Sequence, residues 1–190
     1  MSFEEQLRFG KIGESRIAHV LKGRGLHILP VYEKEISEGK GPVLFTADNR
    51  NLVLPDMLAF NDSKTIWIEA KHKTAFTWHR ITGKWVTGID LHHYRDYLEV
   101  LKLSPWPVWL LFLHDGGQAK DSPADSPAGL FGGELGLLSR NEHHRHMNHG
   151  KHGMVYWGVP PLRNLEKEMR AGSSHGPLVQ SPKVDKSRTL

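Results

Sequence analysis

The chain has 190 residues, 38% of them hydrophobic, a formal charge of +4 with histidines neutral, thirteen histidines and no cysteine. That length holds one domain with a full core, the lack of cysteine excludes disulfides and thiolate zinc sites, and no run approaches the roughly 18 apolar residues of a membrane helix. The acidic start MSFEEQLRFGK lacks the basic-then-apolar order of a secretory signal, so a cytoplasmic protein with no membrane partner is expected, and its basic surplus leans toward polyanionic partners.

Leu7, Gly10, Glu14, Ile17 and Leu21 recur at spacings of three and four, which predicts a helix from Phe3 to about Leu21, ended by Gly23 and Gly25. Glu14 falls on this apolar stripe, where a carboxylate is costly unless it is paired or bound to a metal. A basic partner at the stripe's edge is the ordinary explanation and a metal-site role the favoured one. Gly10 and Gly13 would let the helix approach a neighbouring backbone.

Leu26 to Tyr32 reads as a strand and Glu33 to Pro42 as a charged loop. Asp48, in Phe45-Thr46-Ala47-Asp48-Asn49, has ordinary turn chemistry and ranks below the acidic residues that follow. Asp56-Met57-Leu58-Ala59-Phe60 and Thr65-Ile66-Trp67-Ile68-Glu69-Ala70-Lys71 flank Asn61 to Lys64, residues that favour a short hairpin loop. Phe76 to Thr87 suggests a second, more exposed hairpin centred on Thr82-Gly83. Its Trp78, His79, Arg80 and Trp85 form either a nucleic-acid-contacting ribbon or an internal cation–π pair, with Arg80 facing Trp85.

Asp90 can cap the next helix, whose buried face is read as Leu91, Tyr94, Leu98 and Leu101. Pro105 and Pro107 stop it before Val108 to Leu113, an apolar run typical of a strand covered on both sides. Asp121 to Ala124 is duplicated as Asp125 to Ala128, and residues 115–152 as a whole read as an irregular Pro/Gly/His-rich insertion. Within it, His143, His144, His146, His149 and His152 suit Zn2+, Ni2+ or Cu2+, though a mobile polar loop is the preferred reading. A last strand from Met154 to Val159, a short helix from Leu162 to Arg170 and a disordered tail over 171–190 complete the chain. The order predicts an α/β domain over residues 1–170, a mixed sheet flanked by helices.

The first hairpin carries the chemistry. With its turn centred between Asp62 and Ser63, Phe60 faces Thr65, Leu58 faces Trp67 and Asp56 faces Glu69. Directly opposed side chains have Cβ atoms about 4.5–5.5 Å apart, and like charges there destabilise a sheet unless something compensates. Two carboxylates and a backbone carbonyl suit Mg2+ or Mn2+. Lys71, two residues beyond Glu69, emerges on the same face, while Ile66, Ile68 and Ala70 take the other. An isolated E-x-K is commonly a mixed-charge surface strand; Pro55-Asp56 and the hairpin set this one apart.

Pro55-Asp56 followed by Glu69-Ala70-Lys71 after a hydrophobic strand resembles the PD-(D/E)XK nuclease superfamily, which includes restriction enzymes, archaeal-type Holliday-junction resolvases and many phage nucleases. Phe9-Gly10-Lys11-Ile12-Gly13-Glu14 with Ile17-Ala18 resembles the first helix of the resolvase-like members. The resemblance implies a restriction-endonuclease-like fold and a metal-dependent DNA endonuclease, with Glu14, Asp56, Glu69 and Lys71 catalytic. It implies Mg2+ (or Mn2+) held by Asp56, Glu69, the carbonyl of Ala70 and Glu14, and a homodimer, since resolvase-like members commonly pair. Lys73, Arg80 and His93 are candidate DNA contacts, each with a solvated or packed side chain as the plainer explanation. The rival functions are an exonuclease on the same core, a non-catalytic nucleic-acid-binding module, and a His-rich metal-binding interaction protein.

Overall fold

Helix α1 (Phe3–Gly23) begins with a capping box: the Ser2 side chain accepts the Glu5 N–H at 3.2 Å while the Glu5 carboxylate accepts the Ser2 N–H at 2.6 Å. Gly25, at φ +75°, turns the chain out of the helix into β1 (His27–Pro30). The computed structural model describes residues 2–31, 42–149 and 152–171, so most of the expected Glu33 to Pro42 loop and the 172–190 part of the expected tail lie outside the described residues.

The chain continues through β2 (Val43–Phe45), β3 (Asn51–Val53), β4 (Met57–Asn61), β5 (Lys64–Lys73), β6 (Thr77–His79), β7 (Lys84–Asp90) and α2 (Leu91–Leu103). It ends with β8 (Val108–His114), β9 (Gly117–Gln118), β10 (Asp125–Ser126), β11 (Gly129–Glu134), α3 (Leu135–Leu138), β12 (His144–His146), β13 (Met154–Gly158), β14 (Arg163–Asn164) and α4 (Leu165–Ala171). A six-stranded sheet in the order β1-β4-β5-β8-β11-β14 forms the centre; a four-stranded sheet, β12-β13-β7-β6, and the pairs β2-β3 and β9-β10 surround it. The central sheet is mixed, because β5 and β8 run parallel while the other neighbours are antiparallel. Its α/β architecture, a mixed sheet flanked by helices, is the one expected from the element order.

Two cores hold the layers together. On one face Ile17 and Leu21 of α1 bury against Ile66, Ile68 and Ala70 of β5 and Leu111 and Leu113 of β8. On the other, Tyr94, Tyr97 and Val100 of α2 and Val155 and Trp157 of β13 pack on Leu110, Phe112 and Phe131. Strand β8, covered from both sides, is buried along its whole length, as its apolar run predicts. Among the described residues no helix is long and apolar enough to cross a membrane.

Several local readings are corrected. Residues 115–152 contain β11, a strand of the central sheet. It is glycine-rich because a Cβ on Gly132 would lie 2.3 Å from Leu111 Cδ2 and 3.0 Å from the Leu110 carbonyl, and one on Gly133 would meet Leu138. The buried face of α2 uses Tyr97 and Val100, with Leu98 and Leu101 only partly covered. Leu7 is 53% exposed, so the apolar stripe of α1 starts further along. The β2-β3 pair was not legible, and α4 starts only after the short strand β14.

Gly13 fits its expected role, and Gly10 does not: no atom lies within 4 Å of a Cβ built on Gly10, whereas one on Gly13 would lie 2.2 Å from the His72 Cβ of β5. Gly13→Ala is therefore expected to push α1 off the sheet and lower stability by about 1–3 kcal/mol, the usual cost of overpacking. A shift of the urea unfolding midpoint measures it. An unchanged midpoint would mean that helix and strand part freely.

Candidate active site

The β4–β5 hairpin has the expected register, with Phe60 opposite Thr65, Leu58 opposite Trp67 and Met57 opposite Ile68. The ladder stops there. Asp56 lies one residue beyond it, and its Oδ2 accepts the Ala70 N–H at 2.8 Å, so the carboxylate takes over where the partner strand leaves off. From Glu69 to Lys73, β5 keeps its pairing with β8, opposite Leu110 through His114, while the β4 ladder beside it has ended. Strand alternation sends Ala70 into the α1 core and Glu69 and Lys71 to the face covered by α2.

Glu69 is 1% exposed, and neither carboxylate oxygen has a hydrogen bond. Lys71 Nζ lies 2.5 Å from Glu69 Oε1, a close ion pair. The Lys71 side chain remains 31% exposed.

The charges are strongly coupled. Burial first, and then the charge of Glu69, push the Asp56 carboxyl up to about 8, against the opposing pull of Lys71 and the Ala70 N–H. Burial works against the Lys71 ammonium, but Glu69 and Asp56 outweigh it and raise its pKa. Glu14 is raised by its own burial, lowered by Lys71 and raised again by Glu69, which puts the α1 carboxylate in the same field. Lys73 is brought down to about 8 by burial and by Lys71, and His93 is lowered by burial, Lys71 and His92.

Glu14, Asp56, Glu69, Ala70 and Lys71 thus come together, with Lys73 and His93 at their margin. Arg80 does not join them. It lies in the β6–β7 turn, its side chain 75% exposed and 3.5 Å from Asp121. The expected Arg80–Trp85 pair is corrected to Trp78 opposite Trp85, with edge-to-face rings 4.9 Å apart, because the turn is centred one residue earlier than Thr82-Gly83. Asp48 is a turn residue as expected, held by Thr46 and Arg50. His72 points to the α1 side, stacked on Phe9 at 3.6 Å.

Two neighbours were missed as site residues. Asp90 stands at the N-cap of α2 without capping it, and its charge instead raises Lys71 and Lys73. Tyr97, 2% exposed, is held well above the ordinary phenol range by burial and by the adjacent Glu69. Asp90, His93 and Tyr97 are spaced by three and four, and that one-face spacing was the available signal.

The donor set suits a hard divalent cation: a like-charged pair of carboxylates, one with both oxygens buried and short of hydrogen bonds, beside a strand carbonyl. Mg2+ or Mn2+ fits this chemistry. Among the described residues, Glu14, Asp56 and Glu69 do not converge as tightly as one histidine trio, whose ligand atoms lie within 4.8 Å of one another. A groove of about 480 Å3 lies elsewhere, along Ile12, Arg16, Val20, Leu113 and Leu130.

No family model and no curated protein matches the chain. Among solved structures it is similar to Hjc, a Holliday junction resolvase from the archaeal hyperthermophile Archaeoglobus fulgidus, at a TM-score of 0.49 and 10% identity, with 83% of this chain and 98% of that chain covered.

Proposed function

We propose that the chain is a divalent-metal-dependent DNA endonuclease of the PD-(D/E)XK type. The observation that carries this reading is the Asp56 carboxylate, held by the Ala70 N–H just past the β4 ladder and within the field of Glu69, with Lys71 2.5 Å from Glu69. In this reading Asp56, Glu69, the Ala70 carbonyl and Glu14 hold Mg2+ or Mn2+. When bound, the cation neutralises charge on the scissile phosphate and makes water a stronger nucleophile.

The chain's own groups do the rest. The Ala70 N–H fixes the Asp56 carboxylate, and Tyr97 lies beside Glu69. Lys71 orients the attacking water and stabilises the negative charge that develops on the phosphate. Lys73 and His93, at the margin of the carboxylates, are the nearer phosphate contacts, and Arg80 in its exposed turn is a more distant one. The +4 net charge favours a polyanion, and the homodimer expected from the resemblance would present two such sites.

The test is cleavage of supercoiled plasmid and of a labelled four-way junction in Mg2+, Mn2+ or EDTA. Metal-dependent nicking of the closed circle is the expected result, and strong preference for the junction would mark a resolvase-like substrate. Degradation of linear DNA alone would make the protein an exonuclease. Binding to DNA without cutting, whatever the metal, would leave a non-catalytic module and overturn the proposal.

A further inference from the structure

The geometry points to a second metal site, independent of the carboxylates: His79, His143 and His144 bind one Zn2+ ion, which clamps the β6–β7 hairpin to the segment that opens β12. One ligand nitrogen from each residue lies within 4.8 Å of the others, and all three side chains are half-buried. The rings crowd together, with centroids 4.4 Å apart for His79 and His144, 5.0 Å for His79 and His143, and 4.9 Å for His143 and His144.

The polar contacts within the cluster use up imidazole nitrogens on one another. His143 Nδ1 and His144 Nδ1 are 2.7 Å apart, so one of them donates and the other must be unprotonated. Thr82 Oγ1 bridges His79 Nδ1 at 2.8 Å and His143 Nε2 at 3.2 Å, which draws the hairpin turn into the same cluster. A tetrahedral zinc site with bonds of about 2.0–2.1 Å places its nitrogens roughly 3.4 Å apart. The present spread, up to 4.8 Å, leaves that gap for side-chain rotation to close.

Topology supplies the reason for a clamp. β6 and β12 are the two outer strands of the four-stranded sheet, with β7 and β13 between them. Their histidines touch although, among the described residues, no ladder joins the two edges. A metal ion would tie that seam.

The histidine run itself is divided by the fold. His149 turns to the Tyr156 hydroxyl at 2.5 Å, and His152 packs on His92 with centroids 4.8 Å apart. His144 also stacks on Tyr156 at 4.6 Å, but ordinary packing of that one ring leaves the convergence of three imidazoles from two segments unexplained. Imidazole donors prefer Zn2+, Ni2+ and Cu2+ over Mg2+, the reverse of the oxygen set at Asp56 and Glu69. The two sites therefore select different ions.

The experiment is calorimetric titration of the full chain, stripped with chelator, with ZnCl2 in excess Mg2+, repeated on His79→Ala, His79→Phe, His146→Ala and Glu69→Gln. His79→Phe keeps the ring that packs on His143 and His144 but offers no nitrogen, so it separates ligation from packing. Expected are one equivalent of Zn2+ in the wild type and in His146→Ala, and loss of at least about 100-fold in affinity in both His79 variants, since even outer-shell partners of metal ligands account for 10–100-fold. Zn2+ should also raise the unfolding midpoint of the wild type and not that of His79→Phe. Binding that survives both His79 changes would put the ion on the sequence-local histidine run and overturn the proposal. So would the absence of stoichiometric binding, or binding lost with Glu69→Gln while His79→Phe retains it.

Discussion

Replacing Lys71 with methionine is expected to lower the rate of the proposed DNA cleavage by about 10^2- to 10^3-fold, the usual loss when one preorganised group facing developing charge is removed. Methionine keeps most of the aliphatic stem and discards the ammonium, which lies 2.5 Å from Glu69 and has the more exposed side chain of the two. The same change leaves a 1% exposed carboxylate without its counter-charge. Breaking a buried pair from one side costs about 3–5 kcal/mol, and the partial exposure of Lys71 puts this case at or below the low end. Added Mg2+ or Mn2+ should restore much of that stability without restoring cleavage. Single-turnover cleavage, with urea unfolding in EDTA and in Mg2+, separates the two effects. Cleavage within about twofold of wild type, against the losses typical of such groups, would remove Lys71 from the mechanism.

Asp56→Asn is expected to stabilise the metal-free protein at pH 8 while abolishing the proposed cleavage. The Asp56 carboxyl is pushed up to about 8, so between its ordinary value of 3.8 and about 8 the folded chain holds a proton that the unfolded chain has released. The resulting stability is fully present below the unfolded value and is lost as pH rises through the folded one. Asparagine cannot ionise and still offers an oxygen to the Ala70 N–H.

The variant should therefore gain on the wild type through that window, by an amount on the order of 2–3 kcal/mol at pH 8. That is less than full conversion of the shift at roughly 1.36 kcal/mol per unit, because Glu69 and Lys71 share the titration. Lys73, depressed to about 8, acts above that pH, and comparing the two proteins at each pH cancels it. Urea midpoints measured in EDTA across the range give the curve. Parallel pH profiles for the two proteins would show that Asp56 carries no strained charge.

The geometry of the candidate site was legible where local pattern decides it. Alternation from Ile66 to Lys71 fixes which residues face the α1 core, and a short polar turn at Asn61 to Lys64 fixes which residues oppose them, so Asp56 and Glu69 could be paired on paper. Legibility failed where distant parts of the chain decide. β11 carries too many glycines to read as a strand, and their purpose becomes visible only once Leu110, Leu111 and Leu138 are beside them. Tyr97 and Asp90 look like core and cap until β5 supplies Glu69 and Lys71. His79 meets His143 and His144 only in the folded chain, across a sheet whose outer strands are far apart in sequence.

The parallel partnership of β5 with β8 also has a kinetic consequence. The β6–β7 hairpin and the whole of α2 lie between the two strands, so the pair cannot zip from a tight turn as β4 and β5 can. Closing that long loop costs chain entropy before any contact rewards it, which makes the step a late and slow one. Glu69 and Lys71 lie on this late-joining part of β5, and Tyr97 reaches them from the intervening helix. A nascent or partly refolded chain is therefore expected to form its first hairpin early and to bring its candidate site together last.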